Sequence, residues 1–210
     1  MSKSPEIAPP VFDRDDVEIM ERKPLYRGFF HADEVTLRHR QFADGDWGEP
    51  LSREIVYRPQ AVGVLLYDAR RDELALVEQF RIGALRDESG PWCLEVVAGM
   101  MEEGETAEDV ARRELVEEAG IHEVELRYIG NYRASPGGCD EKLYLYIGLC
   151  DLTDAGGVFG LPEEHEDIKM HVLSAEAVLG SLYTGRWNNP AALITLQWLA
   201  LNRPQLMQEV

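Results

Sequence analysis

The 210-residue chain has little cysteine, few cations and no long apolar run. Its three cysteines, Cys93, Cys139 and Cys150, are odd in number and lack a C-x-x-C spacing. A disulfide framework and a zinc knot are therefore not expected, and reduced thiols are. Lys and Arg total 21 against 39 Asp and Glu, a formal net charge of −18. Such a chain repels a phosphate backbone or an anionic bilayer, so neither nucleic acid nor a membrane surface is an expected partner. The apolar stretches Ala61–Tyr67 and Ala191–Leu201 are too short or too interrupted to span a bilayer. The opening MSKSPEIAPP lacks the apolar segment of a secretory leader. A cytoplasmic location is expected. What is present is 45% hydrophobic residues, enough for a real core.

Beyond a proline-rich tail of about ten residues, short segments rich in β-branched and aromatic residues follow: Val17–Arg22, Leu25–Phe30, Glu34–His39 and Arg53–Tyr57. They predict a small antiparallel sheet of three or four strands that needs a surface to pack on. After Arg58-Pro59 the texture changes. Ala61–Tyr67 reads as a strand covered on both faces, and Glu73–Phe80 as its return. Further strands are predicted at Trp92–Ala98, Val124–Tyr132, Lys142–Cys150 and Ile168–Leu173. Helices are predicted at Thr106–Ala119, at Ser174–Tyr183, and from Asn189-Pro190 to Leu201. For the first, Thr106 and Asp109 form a capping-box pattern and Gly120 stands where a helix-ending glycine belongs. The expected architecture is mixed α/β: a mixed β-sheet between helices, residues 59–210, preceded by a small antiparallel sheet, residues 1–58.

Residues 99–121 read GMMEEGETAEDVARRELVEEAGI. Glu114, Glu117 and Glu118 stand at i, i+3 and i+4, so at about 100° per residue they share one face. Like charges at that spacing repel, and a hard divalent cation relieves the repulsion because Mg²⁺ favours carboxylate oxygen. A solvated acidic face is the other reading, and these residues alone leave both open. A second acidic cluster, Glu163-Glu164-His165-Glu166-Asp167, follows Gly160-Leu161-Pro162; by itself it is an ordinary solvated loop.

The first segment resembles the signature of the Nudix hydrolase family at all nine specified positions: Gly99, Glu105, Arg113-Glu114-Leu115, Glu117-Glu118, Gly120 and Ile121. Nearly the whole chain is similar to the bacterial ADP-ribose pyrophosphatase subfamily, including Pro136, sixteen residues past Gly120. The resemblance implies the Nudix fold. It also implies two or three Mg²⁺ ions per site, or Mn²⁺, held by Glu114, Glu118, Glu117 and the carbonyl of Ala98. Glu105 and Arg113 would pair structurally, and Gly99 and Gly120 would serve turn geometry. The loop after Gly160 would deliver the catalytic base, best aligned at Glu164 with Glu163 as the substitute register. Glu166 would be a further metal contact, and His165 is discounted.

For substrate, the resemblance implies ADP-ribose, cleaved to AMP and ribose 5-phosphate. Phe29 and Phe30 would lie at the adenine, where stacking on an aromatic face is favourable. Arg53, Glu54, Arg58 and Arg81 would bind base and phosphates, the alternative for each arginine being a surface ion pair. Ser135, Pro136 and Gly137, a tight turn on their own reading, would contact the diphosphate or terminal ribose, with Glu141 just beyond. The subfamily exchanges its N-terminal sheet within a homodimer, so each site would be shared between protomers. Another nucleotide sugar such as GDP-mannose, and a binding module without catalysis, remain the alternatives.

Overall fold

A computed structural model describes residues 9–210, except the side chain of Glu164. The predicted tail lies outside the described residues as far as position 8. Two compact units are present: residues up to Arg58 with Ser135–Asp140, and Pro59–Ala134 with Glu141–Val210.

The first unit is a three-stranded antiparallel sheet of β1 (Val17–Arg27), β2 (His31–His39) and β3 (Leu51–Tyr57), in that order. The two short strands predicted on either side of Pro24 are one strand. Proline lacks a ladder donor, which an edge strand tolerates, and register shifts at Ile19/Glu21 and Pro24/Tyr26 absorb the irregularity. Every residue of β1 is exposed, including Val17, Ile19, Met20 and Leu25. Val35 is the one buried apolar side chain among the described residues of this unit. The Ser135–Asp140 turn joins the unit through β3: Val56 N–H donates to Gly138 O at 2.9 Å, and Asp140 N–H to Val56 O at 3.2 Å.

The second unit is built on a mixed eight-stranded sheet. It contains β4 (Ala61–Asp68), β5 (Glu73–Phe80), β6 (Trp92–Glu95), β7 (Val97–Met100), β8 (Glu125–Arg133), β9 (Lys142–Leu149), β10 (Gly157–Phe159) and β11 (Ile168–Ser174). The main path runs β10-β11-β5-β4-β9-β8, with β6 on β5 and β7 on β4. Only β4 and β9 pair in parallel. The predicted strand Trp92–Ala98 is thus two, because the chain leaves one neighbour for another at Val96. All eight residues of β4 are buried, as a strand covered on both faces requires.

One face of the sheet packs on α1 (Ala107–Ala119), through Val62, Val64, Ala75 and Val77 against Val110, Ala111 and Leu115. The other packs on α2 (Ala175–Gly180) and α3 (Pro190–Leu206), through Leu65, Leu76 and Ile147 against Leu196 and Leu199. This is the expected sheet between helices. Thr106 and Asp109 close the capping box of α1. Gly120 ends it at φ 64°, in the left-handed region that glycine adopts without a Cβ penalty. α3 runs past the predicted Leu201 to Leu206, with Pro204 inside its last turn. Among the described residues, no helix is long and apolar enough to cross a membrane.

Candidate active site

The acids of α1 are not equivalent. Glu114 and Glu118 are buried beside Val110, Ala111, Leu115 and Ala119, whereas Glu117 is half-exposed. A purely solvated acidic face is thereby excluded for the i, i+4 pair. Burial first, and neighbouring carboxylates after it, push Glu114 up to about 7 and Glu118 up to about 8. For both, Glu166 is one of those neighbours. Glu118 Oε2 accepts from the Ala98 N–H at 3.0 Å, which ties β7 to the helix at a predicted site residue.

Arg113 holds the rim of this centre. It contacts Glu105 at 3.2 Å, Glu114 at 2.7 Å and Glu117 at 3.1 Å, and donates to Met100 O at 3.2 Å. Burial disfavours its charge, but these carboxylates more than offset that and raise its pKa. The Glu105–Arg113 pair is therefore present, and Glu105 also accepts from the Glu102 N–H at 2.8 Å.

Gly99 does not serve a turn. It lies within β7, opposite Val62, and its φ is not positive. A Cβ there would stand 1.7 Å from Glu114 Oε1, so the glycine makes the room that the carboxylate fills. The sequence signal is a glycine inside an apolar strand, which marks close approach as readily as a turn. Gly120, besides ending the helix, leaves space for Phe159, whose ring lies 2.8 Å from where a Cβ would be.

Phe159 leads into the second acidic cluster. Gly160 N–H donates to Glu117 O at 3.2 Å, so the segment is fastened to the last turns of α1. Leu161 and Glu166 then close on each other: Leu161 N–H donates to Glu166 Oε2 at 3.1 Å, and Glu166 N–H to Leu161 O at 3.2 Å. Pro162–Glu164 is a single 3₁₀ turn ended by His165 at φ 58°. The backbone of Glu164 sits in that turn; its side chain lies outside the described residues. His165 is exposed.

Arg81 follows β5. Its Nε and Nη2 contact Glu95 at 2.9 and 2.8 Å, and its charge opposes the rise at Glu118. The ion-pair alternative is thus realised, though next to the acidic centre. Glu95, absent from the sequence predictions, is buried and also accepts from Asn189 Nδ2 at 2.9 Å. Its signal was a lone acid inside the apolar segment Trp92–Ala98. Glu141 is half-buried ahead of β9, and its charge helps burial raise the Tyr132 phenol to about 12.

In the first unit, Phe29 and Phe30 meet edge to face at 5.0 Å, and the Arg58 guanidinium lies 5.0 Å over the Phe30 ring. Arg58 N–H donates to Asp140 Oδ1 at 2.9 Å. Arg53 and Glu54 are exposed on β3. Ser135, Pro136 and Gly137 are exposed, and Ser135 O accepts from the N–H groups of Gly138 and Cys139. The chain therefore brings Phe30 and Arg58 together within this unit, and Glu114, Glu118 and Glu166 within the other.

The donor set fits a hard divalent cation: carboxylates raised first by burial and then by neighbouring acids, an oxygen chemistry suited to Mg²⁺, and a glycine cradle that fixes one of them. Among the described residues no three of His, Cys, Asp and Glu close to metal-ligating range of one another. The acids are gathered without being drawn to a point. Two clefts, of about 550 and 360 Å³, contain none of these residues; they are lined by Arg70, Arg127 and Cys150, and by Asp154 and Phe159, among others.

A model of the NUDIX domain matches residues 57–196. ADP-ribose pyrophosphatase of Escherichia coli (strain K12) is 44% identical over 205 residues, covering 98% of each chain. The protein of that name from Haemophilus influenzae is 42% identical over 200 residues, covering 94% of this chain and 92% of its own. GDP-mannose pyrophosphatase of Enterobacter sp. (strain 638) is 30% identical over 157 residues, covering 71% and 78%.

Proposed function

Because the chain belongs to the NUDIX domain family, we propose that it is an ADP-ribose pyrophosphatase, hydrolysing the diphosphate to AMP and ribose 5-phosphate. The observation that carries the chemistry is the burial of Glu114 and Glu118 side by side with raised pKa values. Near-complete coverage of relatives named for ADP-ribose supports the substrate. Nudix hydrolases generally need divalent cations; here Mg²⁺, two or three per site with Mn²⁺ as a substitute, would be held by Glu114, Glu118, Glu117, Glu166 and the Ala98 carbonyl. When bound, such ions neutralise the diphosphate and acidify a coordinated water.

The chain's own residues do the rest. Arg113 and the Ala98 N–H orient the carboxylates, and Gly99 keeps one of them in place. Glu164 takes the proton of the attacking water, with Glu163 as the alternative register. Ser135, Pro136, Gly137 and Glu141 contact the diphosphate and terminal ribose, and Arg81 exchanges its Glu95 partner for a phosphate oxygen. Phe29 and Phe30 stack on the adenine, with Arg53, Glu54 and Arg58 on base and phosphate. The protein acts in the cytoplasm as a homodimer, in which a second copy covers the exposed apolar residues of β1 and the site is shared between protomers.

The similarity to a GDP-mannose pyrophosphatase keeps a second nucleotide-sugar reading in play. A binding module without turnover is disfavoured, because every box carboxylate is present. Mg²⁺-dependent turnover of a panel of ADP-ribose, GDP-mannose, NADH, diadenosine polyphosphates and an oxidised dGTP tests all three. Preference for GDP-mannose overturns the ADP-ribose reading, and tight ADP-ribose binding without turnover indicates the binding module.

A further inference from the structure

Gln79 is 6% exposed, and its Nε2 finds no hydrogen-bond partner among the described residues. A buried amide donor without a partner is disfavoured, and in native proteins such groups are few and each calls for a physical reason. Side chains alternate along β5. Ala75 and Val77 pack in the core under α1, so Gln79 and Arg81 project toward the same face. Gln79 stands one residue beyond the Glu78–Lys169 pair, so it neighbours Ile168, two residues past Glu166. The orphan amide therefore lies on the acidic face, between the core and Arg81.

The acids nearby already have donors. Glu118 takes the Ala98 N–H, Glu166 the Leu161 N–H, and Glu114 an Arg113 N–H. None of them, nor any other acceptor among the described residues, reaches Gln79 Nε2, so a ligand that brings an acceptor would satisfy it. A metal-bound water is a poor acceptor, because its lone pair is committed to the metal and its hydrogens point outward. The non-bridging oxygens of an ionised diphosphate are acceptors only. We propose that Gln79 is a substrate-binding residue of this centre, its Nε2 donating to a non-bridging phosphate oxygen of the bound diphosphate. The inference rests on the proposed ADP-ribose hydrolysis and adds a neutral donor to a site otherwise dominated by acids. A neutral donor suits the position: another cation would compete with the metal for Glu118, and another acid would repel the phosphate.

The test compares wild type with Gln79→Met, which keeps length and removes the donor, and Gln79→Glu, which adds a charge. The probe is the non-hydrolysable α,β-methylene analogue of ADP-ribose with Mg²⁺, titrated calorimetrically, alongside melting of the ligand-free proteins. The expected result for Gln79→Met is about tenfold weaker binding and a matching rise in KM. Its kcat should stay within about threefold and its melting temperature equal or exceed that of wild type, since no hydrogen bond is lost on folding. Gln79→Glu should bind more weakly still. A dissociation constant for Gln79→Met within twofold of wild type overturns the inference. So does a lower melting temperature or failure to fold, because either means that the amide already has a structural partner. If the wild type itself does not bind the analogue, the ADP-ribose reading falls instead. The same comparison with inorganic pyrophosphate then decides whether Gln79 recognises a diphosphate at all.

Discussion

Gly99→Ala is the smallest change that tests how this centre is assembled. The backbone of Gly99 is an ordinary strand in β7, so alanine meets no conformational penalty there. Its Cβ would nevertheless stand 1.7 Å from Glu114 Oε1, 1.9 Å from Cδ and 2.4 Å from Cγ, where ordinary contact begins at 3.4 Å. The carboxylate must retreat by about 1.7 Å, and as the flexible end of a long side chain it can. The loss falls on the site rather than the fold. A displacement of about 1 Å from productive geometry costs on the order of 100-fold in rate, so ADP-ribose turnover should fall by roughly that factor or more. The Mg²⁺ concentration for half-maximal rate should rise severalfold. Stability should change by no more than about 1 kcal/mol, since the partly exposed Arg113–Glu114 pair is all that must loosen. Steady-state kinetics across a Mg²⁺ series, with urea denaturation in parallel, measures both. Adding Glu114→Asp to Gly99→Ala shortens the acid by one methylene and should recover part of the metal dependence. Wild-type turnover and metal dependence in Gly99→Ala would show that Glu114 is not held in place by the absence of that Cβ.

The raised Glu118 pKa gives a pH dependence with a definite sign. The folded chain keeps a proton that the unfolded chain releases above about 4.5, so stability without divalent cations should fall between about pH 4.5 and 8. Glu118 alone sets an upper bound of about 4 to 5 kcal/mol over that window at about 1.4 kcal/mol per unit. Urea denaturation at pH 5 and pH 8 with chelator reads it, Mg²⁺ should restore the loss at pH 8, and Glu118→Gln should flatten the slope while removing activity by orders of magnitude. A chelated protein equally stable at both pH values contradicts the burial argument. Glu164→Gln should bind the methylene analogue normally yet turn over orders of magnitude more slowly; if Glu163→Gln is the crippled variant, the base lies one residue earlier. Light scattering should show a dimer for the wild type and a monomer for Ile19→Glu with Leu25→Glu; a monomeric wild type rejects the exposed face of β1 as a homodimer contact.

Local rules read well from the sequence. The Thr106–Asp109 box, the Gly120 stop and the apolar run of β4 depend on neighbours in the chain, and each was legible. The i, i+4 spacing of Glu114 and Glu118 was legible too, but their burial was not. Glu117 shares the spacing and stays half-exposed, because the sheet covers only part of that arc. What could not be read are relations between distant residues of opposite local character. Glu95 looks misplaced in an apolar strand until Arg81 and Asn189 come to it from other elements. Gly99 looks like a turn until Glu114 arrives from α1. The break at Val96 is invisible because both halves read as one strand, and only the change of partner from β5 to β4 separates them.

The acidity itself shows the same division between composition and position. Residues 100–118 carry eight acids against two arginines, and residues 163–167 carry four acids, so ten of the eighteen net negative charges fall in two segments. Composition alone makes these a reason to avoid phosphates. The fold fastens the second segment to the first through Gly160 and Glu117, setting Glu166 against Glu114 and Glu118. A chain with no use for that arrangement would be stabilised by separating the two clusters, since like charges brought together under burial oppose folding. Keeping them together would be favourable once a divalent cation were shared among them, and a cation so placed would let a strongly acidic protein accept a diphosphate.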